Sequence, residues 1–219
     1  MDEHMAYFPI FIQLEEEDCL VAGGGRVAQR KVEILLEYGP KIRLVAPRVT
    51  DSLWKMGQQG KIQIFLRRFR PEDLEGARLV IAASNDPEVN GSISAACRQQ
   101  NIPVNVVDVK EECSFLFPAL VKDQDVTVGI STGGSSPAMA RLLKERIRSA
   151  LPEGCGQAAR WVGEQRERLK AAVASPSLRE KIFKGLAEQA LIRAGEGREM
   201  ASDEEVNELV RRKLEQTNE

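Results

Sequence analysis

Two glycine loops and one aspartate are the parts of this chain whose residue types and spacing bear most directly on chemistry. The first loop, Gly23-Gly24-Gly25-Arg26-Val27-Ala28, has the form GxGxxA and lies between an apolar run and a stretch of helical period. Glycine there lets the backbone turn tightly and approach a pyrophosphate, whose charge then meets the amides and positive dipole end of the following helix. In a strand-turn-helix context the motif points to a bound dinucleotide. A tight structural turn is the other reading. The second loop, Ser131-Thr132-Gly133-Gly134-Ser135-Ser136-Pro137, also feeds a helix, with hydroxyls as caps and proline at the first helical position. Such a loop can cradle an anion. Asp108 closes the run Val104-Asn105-Val106-Val107, where an open parallel sheet places its ligands, among apolar neighbours that would raise its pKa. It is the candidate general base, or else a turn aspartate bonded to its own backbone.

Three further groups complete the candidate set. The usual dinucleotide fingerprint has an acidic residue after the second strand, but this chain has Ala46-Pro47-Arg48. Pro47 can pack on an adenosine, and Arg48 either counters a 2′-phosphate or is a solvated loop cation, so spacing leaves NAD against NADP open. Ser84-Asn85-Asp86 follows Leu79-Val80-Ile81-Ala82-Ala83 at the carboxyl end of a strand, positioned to touch a cofactor, to cap the helix that begins at Pro87, or both. Arg141, Lys144 and Arg148 share one face of the helix after the second loop, opposite Met139, Leu142, Leu143 and Ile147. That basic face either meets carboxylates or is simply solvated.

The elements that must position these residues alternate. Edge and buried strands are expected at Ile10 to Ile12 and Cys19 to Ala22, with a helix from Arg26 to Tyr38 stopped by Gly39-Pro40. Strands then follow at 42–46, 62–66, 79–83 and 104–107, with helices at 51–59 and 87–100. This pattern implies parallel βαβ units with helices on both faces of the sheet. Near Cys113 the texture changes to two strands, 115–121 and 126–131, around Lys122-Asp123-Gln124-Asp125, then a helix from Pro137 to Ala150. Charged amphipathic helices are expected near 157–173, 177–193 and 203–215, and the last residues, 216–219, as loose.

Composition narrows the function classes. The 219 residues carry 31 basic and 33 acidic side chains, a formal charge of -2, which gives no global field to hold a nucleic acid. No stretch approaches the roughly 20 apolar residues of a membrane span, and no signal peptide opens the chain, so a cytoplasmic protein is expected. The four cysteines, Cys19, Cys97, Cys113 and Cys155, form no CxxC pair and read as reduced thiols. The single histidine, His4, lies in a polar leader expected to fray, which argues against histidine catalysis and against a His-rich metal site. No metal ligands are assigned, and a base, if present, should be a carboxylate.

With both loops and Asp108 in view, the chain resembles the precorrin-2 dehydrogenase and sirohydrochlorin ferrochelatase family, including the N-terminal module of siroheme synthase. The resemblance rests on Pro9-Ile10-Phe11, Gly23 to Ala28 with Arg30-Lys31, Val45-Ala46-Pro47, Ala82 to Asp86 with Val89-Asn90, Pro103 to Asp108 and Ser131 to Pro137. It implies a Rossmann-type NAD-binding domain (1–113), a dimerisation and substrate region (114–151) and a helical module (152–219). It also implies NAD-dependent oxidation of precorrin-2 to sirohydrochlorin by a homodimer, with Asp108 as the catalytic aspartate. The cofactor would be held by Gly23, Gly24, Gly25, Arg26, Val27, Pro47, Arg48, Ser84, Asn85 and Asp86. The substrate, whose eight carboxylates suit an anion cradle, would meet Thr132, Gly133, Gly134, Ser135 and Arg141. Some relatives carry serine in place of Thr132. Some also insert iron into sirohydrochlorin, which would make Fe2+ a second substrate. The chain leaves no room for a methyltransferase domain, so a trifunctional enzyme is not expected. An NAD-sensing module without catalysis is the competing reading. It accounts for the first loop alone.

Overall fold

The computed structural model describes residues 7–215, so His4 and the final four residues lie outside the described part. The chain separates into two compact units, the first ending at Phe117 and the second beginning at Pro118.

The first unit is a five-stranded parallel sheet in the order β3-β2-β1-β4-β5, the Rossmann-type architecture expected. The strands are β1 (Asp18–Ala22), β2 (Lys41–Val45), β3 (Gln63–Phe65), β4 (Leu79–Ala82) and β5 (Val104–Val106). The helices are α1 (Arg26–Leu36), α2 (Asp51–Gln58) and α3 (Pro87–Gln99). The central strands are continuous apolar runs because both faces are covered. Successive residues feed opposite cores: Cys19, Val21 and Ile81 pack with Ala28, Val32 and Leu35 of α1 and Leu53 of α2, while Leu20, Ala22, Val80 and Ala82 pack with Ile93 and Cys97 of α3. The strand order reverses at β1, which pairs with β2 on one side and β4 on the other, Ala22 lying beside both Val45 and Ala82. Open α/β sheets bind ligands outside the carboxyl ends of their strands at such a switch.

Two expectations differ from this sheet. Ile10 to Ile12 form no strand, and Phe8, Ile10 and Phe11 are well exposed. The five strands of the sheet pair only with one another, and the run adds no sixth. The segment from Phe115 to Phe117 is likewise not a strand. Ser114 N–H donates to Val104 O at 2.8 Å and Asn105 Nδ2 to Phe115 O at 3.1 Å, which ties this stretch to β5, and Phe115 and Phe117 pack on the first core.

The second unit contains the antiparallel hairpin β6 (Ala119–Asp123) and β7 (Val126–Ile130), then α4 (Pro137–Ala150), α5 (Cys155–Glu164), α6 (Arg166–Ala172), α7 (Pro176–Gly195) and α8 (Asp203–Glu215). The hairpin and the helices form one compact unit. Gly156 is the joint. Its N–H donates to Asp123 Oδ2 at 2.8 Å, and a Cβ there would stand 2.0 Å from Asp123 O, so only glycine permits the approach. Leu169, Val173, Leu178, Ile182, Leu186 and Val206 make the helical core. α4 is the exception: none of its residues is buried, and Met139, Leu142 and Leu143 are exposed rather than packed inside the chain.

Candidate functional site

The turn between β1 and α1 is built from three glycines with three different needs. Gly23 has φ 133°, and a Cβ there would lie 2.2 Å from Ala83 O. A Cβ on Gly24 would lie 2.0 Å from Arg48 O, while Gly24 O accepts from Thr50 N–H at 3.0 Å. The turn is thus wedged between the chain after β4 and the chain after β2. Gly25 differs, because a Cβ there would meet nothing within 4 Å. It is the N-cap of α1 and supplies no side-chain cap, and no acidic residue occupies the first turn. The first intrahelical bond is Gln29 N–H to Gly25 O, so the amides of Arg26, Val27 and Ala28 keep the unmet donors of a helix start. Open space in front of uncapped amides fits the pyrophosphate of a dinucleotide. Arg26 and Val27 are exposed at the same rim, as are Pro47 and Arg48 across from them.

Ser84-Asn85-Asp86, after β4, borders the other side of the turn. Asp86 is the N-cap of α3, its carboxylate accepting from Glu88 N–H at 3.0 Å and Val89 N–H at 3.5 Å, and Pro87 holds the first helical position. Asp86 therefore caps, Asn85 is exposed, and Ser84 is fixed from α3. Buried Asn90 accepts from Ser84 N–H at 3.1 Å and donates to Ser84 O at 3.0 Å, a two-bond clamp on the backbone bordering Gly23.

Asp108 follows β5 at the same carboxyl edge, in the left-handed conformation with φ 62°. Asp108 is exposed, and its carboxylate accepts no hydrogen bond and makes no ion pair among the described residues. It does not bond to its own backbone. Its turn is held instead by Cys113, whose thiol accepts from Val106 N–H at 3.2 Å and lies within donating reach of the carbonyls of Val106 (3.2 Å) and Val109 (3.3 Å). Burial pushes the Cys113 thiol upward, which keeps its proton available to donate. Beside the turn stands Lys31 of α1, its Nζ 3.7 Å from the centroid of the Phe117 ring. Burial first, then the charge of Arg30, lower its pKa from 10.5 to about 8, against opposing pulls from Cys113 and Asp108. Neither Cys113 nor Lys31 could be picked out from spacing, because each acquires its neighbours only through the fold.

The second glycine loop belongs to the second unit. Gly133 and Gly134 both have positive φ, 63° and 84°. Thr132 Oγ1 accepts from Ser136 N–H and lies in reach of Ser136 O, each at 3.1 Å. Ser131 Oγ takes the Gly133 N–H, Ser136 Oγ caps α4 through Met139 N–H, and Ser135 N–H bonds to Thr132 O. The loop satisfies most of its own donors; the Gly134 amide has no bond among the described residues, and Ser135 and Arg141 are exposed. A cleft of about 460 Å3 between α7 and α8 is lined largely by Arg193, Glu205, Glu208 and Arg212, charges paired with one another.

A family model described as "Putative NAD(P)-binding" matches residues 10–119. The chain belongs to this family. A second model, "Sirohaem biosynthesis protein central", matches residues 123–150, the hairpin, second glycine loop and α4. Among curated relatives, the siroheme synthase of Methylococcus capsulatus is 39% identical over 179 residues, covering 82% of this chain and 38% of that protein. Siroheme synthase 1 of Pectobacterium atrosepticum is 38% identical over 216 residues, covering 97% of this chain and 45% of that protein. The chain thus spans under half the length of these relatives. A solved structure titled "SirC, precorrin-2 dehydrogenase" superposes with a TM-score of 0.68 at 22% identity, covering 95% of this chain and all of that one, which supports the fold. The family resemblance read from the two loops and Asp108 is borne out. Among the described residues no helix is long and apolar enough to cross a membrane, and no group of three or more His, Cys, Asp or Glu is arranged to hold a metal.

Proposed function

We propose that this protein oxidises precorrin-2 to sirohydrochlorin with NAD as hydride acceptor, as a step of siroheme biosynthesis. The observation that carries the reading is the pairing, on one sheet edge, of an uncapped helix start at Gly25 with the uncommitted carboxylate of Asp108. A bound nicotinamide dinucleotide supplies a two-electron acceptor for hydride. The chain's own part is to hold the pyrophosphate on the amides of Arg26, Val27 and Ala28, with Pro47 and Arg48 bordering the adenosine side and Ser84 to Asp86 the other. When a carbon of the macrocycle loses hydride, a proton must leave elsewhere on the ring. Asp108 is the group to accept it, since it is exposed and has no bond to break first. Thr132, Gly133, Gly134, Ser135 and Arg141 are the proposed contacts for substrate carboxylates. Because the loop consumes most of its own amides, Arg141 and the Gly134 N–H carry most of that burden.

Fe2+ is proposed as a further substrate, inserted into sirohydrochlorin with Asp108 taking the displaced protons. A homodimer is proposed on the apolar line Met139, Leu142 and Leu143, exposed along the 14-residue α4. The free cysteines suit a reducing, cytoplasmic setting.

The test is anaerobic incubation of the protein and of Asp108→Asn with precorrin-2 and either NAD or NADP, following reduced cofactor and sirohydrochlorin by absorbance, with and without Fe2+. Sirohydrochlorin formed by the wild type with NAD, and lost in Asp108→Asn, is the expected result. Cofactor binding without product sinks the reading, and faster turnover with NADP assigns Arg48 to a 2′-phosphate.

A further inference from the structure

α3 ties together two parts of the carboxyl edge that follow different strands. Of its polar residues, Asn90 and Ser94 are buried, and being four positions apart they lie on one side of the helix, a turn from each other. Asn90 holds Ser84 after β4 by two bonds, accepting from Ser84 N–H at 3.1 Å and donating to Ser84 O at 3.0 Å. One turn on, Ser94 Oγ donates to Glu112 O at 2.7 Å. Glu112 precedes Cys113, whose thiol brackets Asp108 through Val106 and Val109, and Glu112 N–H itself donates to Val109 O at 3.3 Å. Arg98, another four residues along, adds a bond from its guanidinium to Glu111 O at 2.6 Å. A buried amide or hydroxyl that spends its bonds on loop backbone fixes that backbone, because breaking such a bond without water to replace it is costly.

We propose that Asn90 and Ser94 are positioning residues that act on opposite partners of the reaction. From adjacent turns of one helix, Asn90 sets the backbone at the cofactor rim and Ser94 sets the segment that holds the Asp108 turn. The hydride acceptor and the proton acceptor thereby keep a fixed separation, each through its own bonds. This assignment rests on Asp108 being the proton acceptor of the proposed reaction. A misplaced proton acceptor slows the chemical step without weakening binding, so Ser94→Ala lowers kcat about tenfold, with KM for precorrin-2 and Kd for NAD within about twofold of wild type. Because proton transfer is the step impaired, the solvent deuterium isotope effect on kcat rises in Ser94→Ala. Asn90→Ala acts at the other end: NAD binds about tenfold more weakly, and the solvent isotope effect stays as in the wild type.

Amide hydrogen exchange of the protein without ligands locates each bond. In Ser94→Ala exchange quickens at Val106 and Cys113 and is unchanged at Ser84, and in Asn90→Ala the pattern is inverted. Arg98→Ala, at an exposed position, gives the Ser94→Ala signature in weaker form and serves where a buried variant does not fold. Wild-type kcat and isotope effect in both Ser94→Ala and Arg98→Ala overturn the proposal. So does a Ser94→Ala protein whose NAD affinity falls as far as its kcat, the mark of a helix that is only a structural prop. If the wild type oxidises no precorrin-2, the reading of the reaction fails, while exchange still decides whether α3 holds the two segments separately: quickening at both ends in either variant sinks that assignment.

Discussion

The two glycine loops read alike in the sequence, one a glycine triplet and the other a pair, each ahead of a helix, yet their backbones have different things left to offer. In the Gly23 loop no side chain caps α1, and the helix amides face open space at Gly25. In the Gly133 loop three hydroxyls already occupy the amides of Gly133, Ser136 and Met139. An anion gains from a helix start only where the donors have no other partner. The first loop therefore keeps backbone donors open, whereas the second spends most of its donors on holding its own shape. Glycine also serves different ends. At Gly23 and Gly24 it lets separate segments of the chain touch, and at Gly133 it supplies a left-handed φ with no atom within 4 Å of an added Cβ.

The sharpest way to break this contrast is Gly24→Ala. The added carbon would overlap the Arg48 carbonyl, which is backbone and cannot swing aside, so the β1–α1 turn and the chain after β2 must separate. The expected loss is at least about 3 kcal/mol of stability, with cofactor binding abolished. Chemical denaturation and calorimetric titration with NAD measure the two. A variant with near wild-type stability would show that the packing of this turn is looser than described.

Next in size is Thr132→Val, which keeps the shape of the side chain and removes the hydroxyl bonded to both backbone groups of Ser136. The cost expected is about 1–2 kcal/mol, seen as earlier unfolding and faster hydrogen exchange at the Ser136 amide. Affinity for NAD should be unchanged. If precorrin-2 affinity falls while exchange at Ser136 stays slow, the hydroxyl contacts substrate instead of holding the loop.

The same contrast marks where sequence reasoning succeeds. The order of strands and helices was legible because β1 and β4 are unbroken apolar runs closed by helix caps, and both signals are local. The candidate residues Gly23, Ser84 and Asp108 were legible because each stands where a strand ends, and a parallel sheet collects those ends at one edge. Ile10 to Ile12 misled because a short apolar run does not distinguish a strand from an exposed extended segment. The position of Asp108 after a strand was legible, but its exposure was not, since exposure depends on which loops fold over it. Lys31, Asn90 and Cys113 carry no spacing signal of their own. Their roles come from contacts between β5, α1, α3 and the segment before Phe117, and no periodicity records those.

Gly25→Ala is the smallest change and the most discriminating. Gly25 has φ -83° and ψ -176°, an extended conformation open to alanine, and its Cβ would touch nothing within 4 Å. Stability should therefore stay within about 0.5 kcal/mol of wild type, because no contact is broken and no strained backbone is created. The methyl group would nevertheless enter the space in front of the α1 amides, where the pyrophosphate must approach the backbone. Affinity for NAD should fall about tenfold, which corresponds to roughly 1.4 kcal/mol. The parallel change Gly133→Ala should do the reverse, costing about 1 kcal/mol for its left-handed φ with no effect on NAD. Thermal unfolding and calorimetric titration of the pair separate the two glycines, one kept for a ligand and the other for a turn. If Gly25→Ala binds NAD as well as wild type does, the open end of α1 is not where the dinucleotide sits.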